Sequence, residues 1–256
     1  MTANQPTPAL QHYVLHLADT HLILGQRLGE WCGHGPVLEQ DIALTNIGLD
    51  LLGQATTLYE YAATLIADGR TADDLAFLRR EHEYYNALLV EQPNGDFGVT
   101  VARQFFFDTF QQLFLQGLIH SSDVVLAGMA EKALKEATYH LKWSSEWIIR
   151  LGDGTDESHR RIQKALNELW MYTGELTTPA PYETELAEAG YIHNPATLRE
   201  RWMEHVKQVV TEATLTLPPA DAWMNQGGKT GRHTEHLGYL LTEMQYMQRT
   251  YPGMKW

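Results

Sequence analysis

Three aspartates and one histidine, Asp19, Asp50, Asp108 and His140, each fall near the middle of a different helical-looking stretch, flanked by apolar residues. Carboxylate and imidazole donors converging inside a helical bundle would suit redox metal chemistry. A paired-iron site in such a bundle takes one Glu from each of two helices and Glu-x-x-His from each of the other two, all pointing inward. This chain departs from that set: no glutamate is followed three residues later by a histidine. Residues 137–140 keep His140 but have Ala137 where the acid belongs, and residues 50–53 keep Asp50 but have Gly53 where the histidine belongs. Aspartate is also one methylene shorter than glutamate, so bridging two metals would draw the helices together. Two readings remain. One is a metal site of three Asp and one His. The other, favoured by the missing ligands, is a buried polar network in which Tyr, Gln or Arg side chains hold the acids, since a carboxylate buried alone is costly.

Other clusters offer less. The acids of Asp156-Glu157-Ser158-His159 follow a Gly-Thr turn and are expected to serve a helix N-terminus. His12 and His16 lie four apart, a metal-binding spacing, but without the acid of His-Glu-x-x-His, and are expected to be exposed. His233-Thr234-Glu235-His236 opens the last helix and reads as a cap with surface contacts. The single cysteine, Cys32, excludes an internal disulfide and iron–sulfur or zinc-thiolate sites. It is expected to pack beside Trp31, and it fits a reducing cytoplasm. No P-loop, dinucleotide fingerprint or nucleophile elbow is present.

Composition narrows the class further. With 256 residues and 44% hydrophobic content, one large core is within reach. A formal charge of −13 would repel a phosphate backbone, so nucleic acid is not an expected partner. Met1 to Pro8 lack a basic region and an apolar run, so no signal peptide is expected, and no apolar stretch approaches a membrane span.

The elements that must position these residues show helical rather than strand periodicity throughout. Long helices are expected over 9–31, 39–67, from after the turn at 93–96 to about 120, and from the capping residues Ser121, Ser122 and Asp123 to 151. A shorter helix over 72–89 joins the second to the third. Two long helices, a crossover and two more predict an all-α, ferritin-like four-helix bundle with one long crossover. Further helices over 155–176, 195–215 and 233–250, broken at Pro and Gly, would pack on that bundle as C-terminal additions. The expected organisation is one domain, 1–256, with its core over 9–151 and appended helices over 155–256. Phe105, Phe106 and Phe107 are consecutive, so at least one should face a second surface. Together with seven Trp this favours an oligomer.

Longer motifs sit on these elements: QRLGEWCGH at 26–34, NIGLDLLGQA at 46–55, LVEQPNG at 89–95, KEATYHL at 135–141, HTEHLG at 233–238 and EMQY at 243–246. Together they resemble the PaaC family, over nearly the whole chain. The resemblance implies a non-catalytic, ferritin-like subunit of a bacterial ring-1,2-phenylacetyl-CoA epoxidase, in aerobic phenylacetate degradation. It implies a homologous catalytic partner, PaaA, that carries the di-iron centre and binds the CoA thioester, with accessory and reductase subunits besides. It also implies a homo-oligomeric contact within the assembly and no cofactor in this chain, its iron ligands having been lost. Part of this chain's surface would then approach the substrate. Glu83, Tyr84, Tyr85 and Asn86 on the crossover helix are the first candidates, and Thr184, Glu185 and Leu186 the second. The alternative function is a ferritin-like metal-binding oxidase with an atypical Asp/His site. A third reading, a helical binding module unrelated to oxygen chemistry, would have neither iron nor affinity for the catalytic subunit.

Overall fold

Helix signals in the sequence translate directly into α1 and α2. The computed structural model describes residues 7–219 and 221–254. All but Thr7 and Pro8 of the opening segment, on which the signal-peptide expectation rested, lie outside the described residues. Thr7 accepts from the amide of Leu10 and Pro8 occupies the first turn of α1 (Pro8–Gly29), satisfying one of the orphan donors at a helix start. α2 (Leu38–Ile66) returns along it after a short connection. The two helices approach tightly at Gly25 and Gly48: a Cβ on Gly25 would sit 3.0 Å from the Leu52 side chain, and one on Gly48 3.3 Å from Leu28 Cβ.

The crossover corrects the expectation of one helix over 72–89. α3 (Ala72–Phe77) is a single capped turn and a half. A 3₁₀ turn over Glu81–Glu83 follows, then extended backbone, then the short α4 (Leu88–Glu91). The cause is tertiary. Arg79 turns inward to an acid of α1, and the amides of Tyr85, Ala87 and Leu88 bond to side chains of other elements instead of continuing a helix.

α5 (Phe97–Leu118) starts at Asp96, which accepts from the Val99 amide, and α6 (Val124–Gly152) starts at Asp123, which accepts from Val125 and Leu126. α1 packs on α2, α5 on α6, and α2 on α6, closing the four-helix bundle with its crossover. No strand occurs among the described residues.

The C-terminal part contains α7 (Asp156–Leu169), α8 (Gly174–Thr177), α9 (Pro181–Glu188), α10 (Arg199–Glu212), α11 (Glu235–Met244) and α12 (Tyr246–Thr250). The expected helix over 155–176 is broken by a 3₁₀ turn at Trp170–Tyr172, and α9 lies in a stretch read as a break. α7 and α10 lie on α5 and α6. They explain a further correction: Phe105, Phe106 and Phe107 are all buried. Phe106 faces Trp170 and Trp202, at centroid distances of 5.8 and 6.0 Å, while Phe107 meets His21 of α1. The third direction of the Phe run is filled by this chain's own helices, which removes that reason for invoking a second copy. Buried apolar residues from α1 to α11 form one contiguous core. No helix among the described residues is long and apolar enough to cross a membrane.

Candidate functional site

Asp19, Asp50, Asp108 and His140 do not meet at one point. Asp19 points from α1 toward α2 and the crossover. It pairs with Arg79 through both guanidinium nitrogens, accepts from the Tyr59 hydroxyl, and accepts the Tyr85 amide at 2.8 Å. Arg79 is anchored in turn by donating to the carbonyls of Leu75 and Glu83, with its guanidinium 4.3 Å above the Tyr84 ring. Its charge is held more firmly than usual: Asp19 and the neighbouring tyrosines outweigh the large opposing effect of burial. Every lone pair that Asp19 could offer a metal faces one of these donors.

Asp108 lies in the bundle interior on α5. Gln104 Nε2 donates to one oxygen at 2.6 Å and Ser144 Oγ, from α6, to the other at 2.8 Å. Burial pushes its carboxyl up to about 6, against the partial relief given by His140 and these two donors. His140 itself is buried, and its Nε2 meets Asp50 Oδ2 at 2.9 Å. Asp50 belongs to the rim rather than the interior, with 38% of its side chain exposed. Gly53 is exposed, and a Cβ there would meet nothing, so the 50–53 motif does not aim both positions inward. Ala137 is buried and has no donor atom.

The α1 residue that does enter the interior is His21. Its Nδ1 donates to the Leu17 carbonyl at 2.6 Å, which leaves Nε2 to accept from Gln111 Nε2 at 2.7 Å. Burial lowers its pKa to about 4, so the ring is a neutral spacer between α1 and α5. The signal for His21 was its distance of two from Asp19, which puts the two side chains on different faces of a helix. The interior layer is thus His21–Gln111, Gln104–Asp108–Ser144 and His140, which reaches Asp50 at the rim, and Gln54 Nε2 donates to Glu136 at 2.8 Å. This arrangement does not fit a paired-metal centre. Among the described residues no three His, Cys, Asp or Glu side chains converge as a metal-holding group.

Acids that the sequence reading passed over do structural work between distant segments. Glu91 of α4 accepts from Asn86, from the amide and hydroxyl of Thr234, and from His233 at 2.8 Å. The other nitrogen of His233 donates to the Tyr84 carbonyl. Although burial opposes it, the Glu91 bond and charge keep His233 protonated above its ordinary range. Glu175 accepts the amides of Leu88 and Gly227 at 2.8 and 2.7 Å, and Glu183 pairs with buried Lys229 at 2.9 Å. Their long-range partners lie tens of residues away, so the local sequence does not show which segments they join.

The substrate-facing candidates divide. Tyr84 and Asn86 are fully buried, Tyr84 donating to the Ala76 carbonyl and Asn86 to Glu91, so their side chains do not form surface. Glu83 and Tyr85 are partly exposed. On α9, Glu185 is exposed, Thr184 partly so, and Leu186 is core. Three other expectations are corrected. Cys32 is exposed within the turn that follows α1. His16 is buried and bonded to the Tyr85 carbonyl at 2.7 Å, although His12 is exposed as expected. The His233 side chain is enclosed rather than on the surface. At 155–159 the cap is Thr155, accepting from the Ser158 amide, with Asp156 and Glu157 in the first turn as expected.

Comparison with known proteins adds to this geometry. The family profile described as Phenylacetic acid catabolic protein matches residues 1–256. The C subunit of the 1,2-phenylacetyl-CoA epoxidase of Escherichia coli (strain K12) is 50% identical over 247 residues, covering 96% of this chain and 99% of that protein.

Proposed function

We propose that this chain, which belongs to the phenylacetic acid catabolic protein family, is a structural, non-catalytic subunit of a multicomponent phenylacetyl-CoA 1,2-epoxidase. Its part is to support a homologous di-iron subunit during aerobic phenylacetate degradation. The observation that carries this reading is the 50% identity to the C subunit of such an epoxidase, across essentially the full length of both chains. Side-chain geometry supports the non-catalytic part. Asp19 is saturated by Arg79, Tyr59 and an amide, Asp108 is held by Gln104 and Ser144, and Ala137 has no side-chain ligand atom. These side chains stiffen a bundle and do not converge on a common coordination position. In this reading the iron and the CoA thioester belong to the catalytic partner, and the reductase and accessory subunits act on that partner.

The test is iron per chain by elemental analysis, on this protein purified alone from iron-replete cells and then reconstituted with the catalytic subunit. Near-zero iron alone, with iron and epoxidation appearing only in the complex, is the expected result. About two irons per chain in the isolated protein, lost on Asp50→Ala or His140→Ala, would establish the metal-binding oxidase instead. No iron and no complex would leave only a helical binding module.

A further inference from the structure

α10 does not close completely on α5. Between them and the 191–198 connection lies a cavity of about 260 Å³, walled by Leu113, Phe114, Ile192 and Leu198, with Thr197 and Arg201 also lining it. It is slightly smaller than the usual drug-sized site, which limits an occupant to about one ring and a head group. Phe114 is stacked on Phe110, with centroids 5.6 Å apart and planes 19° from parallel, which places an aromatic stack in the cavity wall. Gly117 is part of the construction: a Cβ there would lie 3.0 Å from Cδ2 of the His193 ring, so the missing side chain leaves room for that ring against α5.

Arg201 is exposed and lines this cavity beside Gln116. Its Nη2 donates to Gln116 Oε1 at 3.1 Å, which orients the guanidinium, and it makes no ion pair among the described residues. A second hollow of about 270 Å³ opens on the other side of the same Arg201–Gln116 pair, and its lining is polar. It includes His205, whose Nε2 is buried without a hydrogen-bond partner. Burial also lowers the pKa of that imidazole. An apolar chamber, an oriented cation that makes no ion pair among the described residues, and a polar chamber that Glu204 also lines therefore follow one another along α10. An unpaired, oriented guanidinium is a ready partner for a planar carboxylate, which it engages through two parallel hydrogen bonds.

We propose that the α5–α10 cleft is a binding site for a small aromatic carboxylate. Its ring occupies the chamber against Phe114, its carboxylate pairs with Arg201, and any polar substituent reaches the hollow beside His205. The site lies apart from the interior layer of Asp108 and His140. It does not depend on the reading of this chain as part of an epoxidase, because binding is a property of this chain alone.

The experiment is isothermal titration of the full-length chain with phenylacetate, with two further probes that each remove one feature. Phenylacetamide keeps the ring without the charge, and acetate keeps the charge without the ring. One saturable site for phenylacetate is expected, with each probe at least tenfold weaker. Arg201 is exposed, so Arg201→Gln should fold normally by circular dichroism and lose at least tenfold in affinity. Thr197→Trp, a change at an exposed lining residue, should block binding with an unchanged unfolding temperature. No saturable binding of phenylacetate up to about 10 mM would overturn the proposal. So would phenylacetamide binding equally well, or undiminished binding in Arg201→Gln.

Discussion

Asp108 and His21 are moved in opposite directions by one cause, the removal of water from the bundle interior. For Asp108 the folded pKa rises from 3.8 to about 6, so the folded state binds its proton more tightly than the unfolded chain. Stability from this group therefore falls as pH rises from about 4 to about 6. For His21 the folded pKa drops from 6.5 to about 4, so the folded state releases a proton, and stability rises with pH across roughly the same window. In the wild type the two slopes oppose each other. Asp108→Asn removes one of them. Urea unfolding at steps between pH 4 and pH 7 should show the variant gaining on wild type by about 2–3 kcal/mol as pH rises. His21→Gln should show the reverse trend. Parallel profiles for wild type and both variants would mean that burial does not shift these groups.

Asp19 makes a different residue-scale case, because its charge is compensated by a buried cation. Arg79→Met leaves that carboxylate enclosed without its partner and should cost about 3–5 kcal/mol in chemical unfolding. The double variant Asp19→Asn with Arg79→Met should recover a substantial part of the loss. If the double variant is as unstable as the sum of the single changes, the pair is not coupled as the geometry requires.

At the scale of elements, the bundle depends on close approaches and on acids that tie connections down. The C-terminal end of α6 meets the end of α10 at Gly152, where a Cβ would collide with the carbonyl and side chain of Ala213. Gly152→Ala should therefore overpack this contact and cost about 1–3 kcal/mol, with faster amide exchange concentrated around 210–215. Uniform acceleration over all helices would argue against a local clash. Glu175 gives the crossover its shape, since its two oxygens take the amides of Leu88 and Gly227 from separate segments. Glu175→Ala orphans three buried donors, the amides of Leu88, Gly227 and Lys229, at about 1–3 kcal/mol apiece. The exchange of those three amides should rise before that of the long helices. Equal protection in the variant would show that other partners replace the carboxylate.

For the molecule as a whole, α5 is the central feature. It has the bundle on one side and α7 and α10 on the other, so its Phe run and much of the Trp content serve one internal core. The His140–Asp50 bond spans α6 and α2 near the bundle rim, where its role is to fix the pairing of two long helices. For the complex proposed above, co-expression of His140→Ala with the catalytic partner should lower the yield of assembled complex, reflecting about 1–3 kcal/mol of lost stability. Turnover per assembled complex should stay unchanged. Normal assembly with lost turnover would instead put His140 in the chemistry.

Local rules were enough for the parts of this protein whose partners lie within a few residues. Helical periodicity, the turn at 93–96 before α5, the cap at Asp123, the acids at the start of α7, and the order of two helices, crossover and two helices could all be read along the chain. So could the incomplete ligand pattern, since an absent side chain is absent in any fold. Tertiary structure decided which polar groups meet. Asp19 and His21 are two residues apart yet belong to different networks, because a helix turns them to different neighbours. Asp50 resembled an interior ligand in sequence but sits at the rim, since only the packing angle of α2 on α6 determines its depth. The stretch 78–87 has helical periodicity but leaves the helix, because Arg79, Tyr85, Ala87 and Leu88 gain long-range partners worth more than another turn. No reading of the sequence singled out Glu91, Glu175 and Glu183, because their burial depends on Thr234, Gly227 and Lys229, which only the completed fold brings to them.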